Sequence, residues 1–169
     1  MSNYLPTMNN ISRELRNGRS IYDGYIRGWG IQFGELRKRV SEDPLYKKAI
    51  ALAHGRTVVA EDNRINLFLI VKFFLDKVGA GDVIEFGSYR GGNAIFLAHL
   101  VDQLYPGTRV YSLDTFAGMP VTNSDIDAHQ KGDFGAVDLD ELRCYAAING
   151  LHNLEFVQGL FQDTAPAVL

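Results

Sequence analysis

The sequence has little cysteine and no excess of basic charge. Its single cysteine, Cys144, cannot form a disulfide within the chain, which favours a reducing compartment. No Cys-x-x-Cys pair and no spacing of cysteine and histidine typical of a zinc site is present. With 17 basic and 20 acidic side chains, the formal net charge is -3. We therefore expect no nucleic-acid partner, because proteins that bind nucleic acids carry a strongly basic surface.

Long apolar runs are missing as well. The first twenty residues are polar and have no apolar core of signal-peptide length. The longest apolar stretch, INLFLIVKFFL, contains Lys72 and is too short to span a bilayer. We expect a soluble, cytoplasmic protein that does not bind membranes. The 169 residues, 46% of them hydrophobic, are enough to bury a globular core.

The chain divides into an N-terminal helical extension over residues 1–60 and a main domain over 61–169. Five glycines interrupt the helical pattern between residues 18 and 34. The aromatic residues among them either cover the chain's own domain, which we favour, or form an arm that packs on a partner: Tyr22, Tyr25, Trp29 and Phe33. Residues 41–55 predict a clearer helix, with Ser41 as its N-cap and Gly55 just past its end.

From residue 61 the pattern alternates between amphipathic helices and short apolar strands. This alternation is typical of an α/β fold with a parallel sheet flanked by helices. Asp138 is a candidate N-cap for one of these helices. We predict helices over 61–78, 91–105, 138–151 and 162–169, and strands over 82–87, 109–114 and 154–159.

The segment EFGSYRGG contains the turn between the first strand and the next helix. Gly87 ends the strand, and Gly91 and Gly92 open the helix. Glycines let the backbone approach a ligand closely, and the N–H groups at a helix start can receive an anion or a carboxylate. In open parallel sheets, ligands bind beyond the carboxyl ends of the strands. The turn therefore predicts a cofactor site.

Asp114 ends the second strand, about twenty positions after the glycine turn, where an acid can accept hydrogen bonds from ribose hydroxyls. The turn and the acid together indicate an adenosine-containing ligand. The alternative is that the turn is only structural and that Asp114 caps a helix. After the third strand, Phe161 either faces an adenine ring or belongs to the core. Gln162 either hydrogen-bonds the adenine edge or caps the last helix together with Asp163.

The amino-acid sequence of the turn distinguishes between adenosine-containing ligands. It does not fit the G-x-G-x-x-G pattern of NAD-binding proteins. Glu85, two residues before Gly87, would repel a pyrophosphate but suits an ammonium group. S-adenosylmethionine is therefore the favoured ligand, and a nicotinamide-dependent oxidoreductase is the weaker alternative.

Three segments, in order, resemble the macrocin O-methyltransferase (TylF-type) family of class I S-adenosylmethionine-dependent methyltransferases. They are GDVIEFGSYRGGNAIFLAHL, VYSLDTFAGMP and FVQGLFQDT, between residues 82 and 164. The family shows a strand-E-x-G-x-x-R-G-G turn, a D-[ST]-F-x-G-[LM]-P segment and a G-x-F-x-D-T segment. DTFAGMP is the most specific of the three matches.

The resemblance implies a Rossmann-like methyltransferase fold, S-adenosylmethionine as methyl donor, and a hydroxyl of a sugar or glycosylated small molecule as acceptor. The cofactor-binding positions that it implies are Glu85 and Gly87 near the methionine part; Tyr89, Arg90, Gly91 and Gly92 in the rest of the turn; Asp114 at the ribose; Thr115 and Phe116 flanking the adenosine; and Gln162 near adenine.

The sequence departs from the family after the third strand. The acidic segment that supplies the family's Mg²⁺ ligands and general base has no match, so Mg²⁺ ligands and catalytic residues stay unassigned. The loop after the second strand contains Asp125, Asp127 and His129, which either form a metal or base set or belong to a solvated lid. We favour the lid.

Only three of about seven strands of the family's sheet are present, which leaves one flank of the first strand without a partner. We expect either a fragment of a longer chain or an assembly, most simply a homo-oligomer, that covers this edge. The competing functional interpretation is a non-catalytic module that binds S-adenosylmethionine and needs a partner or the missing half.

Overall fold

The computed structural model describes residues 33, 35–79, 81–123, 129–135 and 137–169. The predicted aromatic arm, apart from Phe33, and the acids Asp125 and Asp127 lie outside the described residues. The elements, in chain order, are α1 (Glu35–Glu42), α2 (Pro44–Ala53), α3 (Glu61–Phe73), a 3₁₀ turn (Leu75–Lys77), β1 (Val83–Phe86), α4 (Gly92–Leu104), β2 (Val110–Asp114), α5 (Leu139–Ile148), β3 (Leu154–Gln158) and α6 (Phe161–Val168).

The three strands form one parallel sheet in the order β1-β2-β3, which confirms the predicted α/β fold. Val83 pairs with Val110, which in turn pairs with Leu154. At the other end of the sheet, Asp114 pairs with Gln158. The carboxyl ends of the three strands therefore lie side by side, as predicted.

The core is one hydrophobic cluster to which helices on both sides of residue 60 contribute. Ala49 of α2, Ile65 and Phe68 of α3, and Ile95 and Phe96 of α4 are almost completely buried. Helix α2 packs directly against α4. Residues 35–53 are thus part of the same packed body as the sheet.

Two helix boundaries differ from the predicted ones. Ser41 is not an N-cap, because it lies inside α1 and its hydroxyl donates to the Lys38 carbonyl. Asp43 caps α2 instead, and its carboxylate accepts from the Leu45 amide at 2.9 Å. The helix predicted over 61–78 ends at Phe73, which is half exposed.

Strand β1 pairs with β2 on one side and, among the described residues, has no partner strand on the other. Its last residue, Phe86, is 54% exposed. Within the same part of the chain, no helix combines the length and hydrophobicity that crossing a membrane requires.

Candidate functional site

A cleft of about 450 Å³ opens at the carboxyl ends of the three strands. This volume lies in the range of small-molecule sites, roughly 300–1,000 Å³. Each strand end contributes to its walls, which is where ligands bind in open parallel sheets. The lining residues are Val58, Gly87, Tyr89, Asp114, Thr115, Gly118, Met119, Pro120, Val121, Phe134, Gly159, Leu160, Phe161 and Gln162.

Asp114 ties the end of β2 to the glycine turn. Its Oδ2 accepts hydrogen bonds from the amides of Ser88, at 2.7 Å, and Tyr89, at 2.8 Å. Its Oδ1 accepts from the Phe116 amide at 2.9 Å. A carboxylate offers about four lone-pair positions, so the side chain that lines the cleft retains capacity for a ligand hydroxyl.

The glycines of the turn have different roles. Gly87 lines the cleft with φ at +90°, and a Cβ there would meet no atom within 4 Å. A side chain at Gly87 would be strained by this φ. Gly91 and Gly92 do not line the cleft. A Cβ on Gly91 would lie 3.0 Å from the Phe156 ring, and one on Gly92 would lie 2.5 Å from the Arg56 carbonyl carbon.

The close approach made possible by Gly92 is therefore to the protein itself. Its amide donates to the Arg56 carbonyl at 3.1 Å, so that N–H does not face a ligand. The sequence predicted room for a ligand at both helix-opening glycines. In the structure the segment before α3 occupies the space at Gly92.

Glu85 lies beneath the turn and outside the cleft lining. Asn93 Nδ2 donates to its Oε1 at 2.6 Å, and the Ser112 hydroxyl donates to its Oε2 at 2.9 Å. Burial raises the pKa of Glu85, with a further contribution from the nearby Asp114, and the two hydrogen bonds oppose this shift. The Oδ1 atom of Asn93 is buried with no hydrogen-bond partner among the described residues. Glu85 and Asn93 together present a buried polar pair beside the helix start.

The segment after β2 folds back against the loop that precedes α5. The Met119 amide donates to the Asp133 carbonyl at 2.9 Å, and the Gly132 amide donates to the Met119 carbonyl at 3.0 Å. Gly118 makes this approach possible, since a Cβ there would lie 2.6 Å from the Gly132 carbonyl oxygen. The two segments together form a continuous side wall of the cleft.

Aromatic rings join this wall to the glycine turn. The Phe134 ring packs edge-on against Tyr89 at 5.3 Å and against His129 at 4.7 Å between centroids. The His129 Nδ1 atom lies 3.3 Å from Asp133 Oδ2. Arg90 is outside the cleft lining and stacks over the Tyr89 ring at 5.1 Å. The predicted lid thus has an aromatic contact with the cleft.

Thr115 and Phe116, predicted to flank the adenosine, are separated by the fold. Thr115 lines the cleft, and its hydroxyl donates to the Gly118 carbonyl at 2.7 Å. Phe116 is 4% exposed and packs on Phe156 at 5.9 Å between centroids. Its φ of +53° turns the chain so that the ring enters the core instead of the cleft.

Phe161 and Gln162 form the third wall. Phe161 is 42% exposed and lies outside the core cluster, with its ring 5.4 Å from that of Phe86. Helix α6 begins at Phe161 without a side-chain cap, so Gln162 and Asp163 do not have the alternative capping role. Both Phe161 and Gln162 line the cleft beyond the end of the third strand.

Val58 is a wall residue that the sequence did not reveal. It lies in the segment between α2 and α3 and is 46% exposed. The segment TVVA carries no turn or motif signal that would place it beside a site about thirty residues later in the chain. Met119 and Pro120, by contrast, are the last two residues of the DTFAGMP segment, so the resemblance to the family does indicate them.

Comparison with known proteins identifies the family. Residues 53–169 match the macrocin O-methyltransferase (TylF) family. The chain belongs to this family. Its membership of the TylF family confirms the resemblance of the three sequence segments.

Two relatives illustrate the extent of the likeness. Over 126 residues, 69% of this chain, the sequence is 32% identical to 8-demethyl-8-(2,3-dimethoxy-alpha-L-rhamnosyl)-tetracenomycin-C 4'-O-methyltransferase from Streptomyces olivaceus. The chain spans 48% of that enzyme's length. The structure of the O-methyltransferase NovP superposes with a TM-score of 0.56 over 78% of this chain and 62% of its own, at 24% identity. This match supports the methyltransferase fold.

Membership of the TylF family implies S-adenosylmethionine as cofactor, and the cleft fits such a group. Gly87 leaves open space at the end of β1, and Asp114 presents acceptor oxygens at the end of β2. The fit does not extend to a metal. Among residues 33, 35–79, 81–123, 129–135 and 137–169, no three histidine, cysteine or acidic side chains lie close enough to hold an ion.

Proposed function

We propose that this chain binds S-adenosylmethionine in the cleft and is the donor-binding part of an O-methyltransferase that acts on a hydroxyl of a sugar or glycosylated small molecule. The position of Asp114 supports the proposal most directly. In a TylF-family chain, its carboxylate lies between the glycine turn and the wall formed by Phe161 and Gln162. The named relative methylates a rhamnosyl group, which supports the choice of a sugar hydroxyl.

The cleft offers a different partner to each part of the donor. Asp114 accepts hydrogen bonds from the ribose hydroxyls, and Gly87 allows the backbone to approach the methionine part. Glu85 and the unpaired Asn93 Oδ1 provide negative potential on the side of the ammonium group. The half-exposed Phe161 ring is available to face adenine.

The remaining predicted positions support the binding groups in this proposal. Tyr89 and Thr115 complete the walls, and Arg90, Gly91 and Gly92 shape the turn without lining the cleft. Phe116 fixes the course of the chain after Asp114 from inside the core. Their contribution is to hold the binding groups in place.

Bound S-adenosylmethionine supplies a methyl group that its sulfonium charge has already activated. The described residues bind and orient this donor, and they exclude water from one side of it. Removal of the acceptor proton needs a base, which we do not assign to any described residue. No step through Mg²⁺ is included, because the described residues do not offer a ligand set for it.

Calorimetric titration with S-adenosylhomocysteine tests the donor site. The unmodified protein is expected to bind, and Asp114→Asn to weaken binding about 10- to 100-fold, the effect of losing a charged hydrogen-bond acceptor. Asp102→Asn is the matched control on exposed α4 surface. Because Asp114 also holds the turn, Gln162→Ala is the second variant, since Gln162 lines the cleft. A folded protein that does not bind, or equal binding by both aspartate variants, would contradict the donor site.

Methyl transfer is tested separately with methyl-labelled S-adenosylmethionine and a rhamnosylated tetracenomycin. Because no described residue is assigned as the base, we expect this chain to bind the donor but to transfer little label by itself. Any label that is transferred should be on the sugar, and label on the aglycone alone would contradict the proposed acceptor while leaving the donor site intact.

A further inference from the structure

We propose that Arg56 is a positioning residue for the donor cleft: it fastens the segment between α2 and α3 to α5, so that Val58 forms a wall of the cleft and the glycine turn keeps its shape. The inference rests on the proposed function, since it assumes that the cleft holds the donor. Nothing in the sequence motifs points to this residue, which lies about thirty positions before the turn.

The backbone of Arg56 sits directly on the start of α4. Its carbonyl accepts the Gly92 amide at 3.1 Å. A Cβ on Gly92 would lie 2.6 Å from this carbonyl oxygen and 2.6 Å from the Thr57 nitrogen, distances that real Cβ atoms do not reach. Only glycine at position 92 leaves room for the backbone of Arg56 and Thr57. Any shift of Arg56 releases the helix-opening amide.

The side chain of Arg56 is held by two residues of α5. Its Nη2 and Nη1 atoms donate to the two carboxylate oxygens of Glu141 at 2.6 and 3.0 Å. The guanidinium group also stacks on the Tyr145 ring, 3.9 Å from its centroid. Tyr145 in turn donates its hydroxyl to the Leu52 carbonyl of α2 at 2.8 Å. A bidentate and stacked guanidinium is fixed in both position and plane, which a lysine cannot reproduce.

Charge and burial agree with this arrangement. Only 21% of the Arg56 side chain is exposed. Its hydrogen bonds with Glu141 raise the pKa of Arg56 and lower that of Glu141, so each group favours the charged form of the other. The pair therefore links α5 to the segment before α3.

Val58 lies two residues after Arg56, so the Arg56 contacts also restrain the part of the segment that lines the cleft. Val58, which lines the cleft, is followed by Val59, whose amide donates to the Thr57 hydroxyl at 3.0 Å. Arg64 of α3 donates to the Val59 carbonyl at 2.5 Å. The C-terminal side of the segment is thus fixed to α3, and Arg56 fixes its N-terminal side. Loss of the Arg56 side-chain contacts leaves the N-terminal side of the segment held by its backbone hydrogen bonds alone.

Binding of S-adenosylhomocysteine by Arg56 variants tests the inference. We expect Arg56→Met to weaken the affinity of the folded protein about tenfold, and Arg56→Lys to restore only part of it. Glu141→Gln, a mild change at a half-exposed position, is expected to shift affinity in the same direction by less. Arg143→Met is the matched control, because Arg143 lies on the same helix in an exposed pair with Asp140 at 3.4 Å.

A purely structural role would lower the thermal midpoint and leave the dissociation constant of the folded fraction unchanged. That result for Arg56→Met and Glu141→Gln would overturn the inference. A second readout is the double variant Arg56→Met with Val58→Ala, where we expect the two losses of affinity to be less than additive because both act on one wall. Strict additivity would count against the link. Failure of the unmodified protein to bind would instead overturn the proposed function, and the inference with it.

Discussion

Glu85 and Asp114 are both acids on adjacent parallel strands, yet their surroundings differ. Asp114 accepts hydrogen bonds from three backbone amides and lines the cleft. Glu85 receives two neutral side-chain donors and lies close to the Asp114 charge, and its burial raises its pKa. The same residue class thus lines the cleft in one strand and is buried at a cost in stability in the other.

Replacing Glu85 by glutamine is expected to stabilise the protein without its ligand. One amide orientation matches both neighbours, because the carbonyl accepts from Asn93 and the amide donates to the Ser112 hydroxyl oxygen. Since the folded-state pKa is raised, the stability that Glu85 contributes is present at low pH and is lost as the pH rises through that pKa. At pH 7 the variant should have a free energy of unfolding higher by on the order of 1 kcal/mol.

Denaturant unfolding between pH 4 and 8 measures this difference. The gap between Glu85→Gln and the unmodified protein should close toward pH 4 and widen above it. Glu42→Gln is the control, at an exposed position beside Lys38. A constant gap across the pH range, or a less stable variant at pH 7, would contradict the assignment of Glu85 as a destabilised carboxylate. The same variant should also bind S-adenosylhomocysteine more weakly.

At the scale of elements, the junction between α1 and α2 depends on Asp43. Its carboxylate caps α2 and also pairs with Lys72 of α3 at 2.5 Å. Burial acts to raise the pKa of Asp43, but the hydrogen bonds from Lys72 and the Leu45 amide outweigh it and the net pKa is lowered. The Asp43 side chain therefore joins α2 to α3, just after the end of α1.

Asp43→Ala should lower the free energy of unfolding by about 1–3 kcal/mol, from the lost cap and the unpaired lysine. The loss should shrink as the pH falls through the lowered pKa of Asp43, where the unmodified protein also loses the charge. Thermal unfolding at pH 7 and pH 3 provides the measurement. Ser41→Ala, two residues earlier and inside α1, should change stability by less than about 0.5 kcal/mol. A larger effect of Ser41→Ala would restore the cap predicted from sequence.

The sequence predicted elements whose signal is local. Apolar strands ending in glycine or aspartate, and caps such as Asp138, follow from short patterns, and Asp138 does accept the Glu141 amide at 2.9 Å. The positions of Gly92 and Phe116 were not predictable in this way. Each depends on a tertiary neighbour, the Arg56 backbone in one case and the Phe156 ring in the other. A family motif names such residues without saying whether they face the ligand or support those that do.

At the scale of the whole molecule, the described part of the chain is a three-stranded sheet with two unlike edges. The β3 edge carries the exposed charge of Glu155, paired with Arg109 at 2.9 Å, and charged side chains disfavour pairing with another strand. Strand β1, VIEF, ends in the exposed Phe86 and has no strand partner on its outer side among the described residues. The one charged residue of β1, Glu85, accepts hydrogen bonds from Asn93 and Ser112. The β1 edge is therefore the more prone of the two to pair with a strand of another molecule.

We expect the protein to self-associate through the β1 edge, and Phe86→Lys to weaken that association about tenfold or more, because like charges then face each other across the contact. Sedimentation velocity over a range of concentrations measures the monomer fraction directly. Ile148→Lys is the matched control, since Ile148 is 79% exposed but lies at the end of α5, away from β1. If both lysine variants dissociate the protein equally, exposed apolar surface in general holds the copies together. A monomer at every concentration would show that the β1 edge does not drive assembly. Association through this edge would raise the oligomer fraction as the concentration rises.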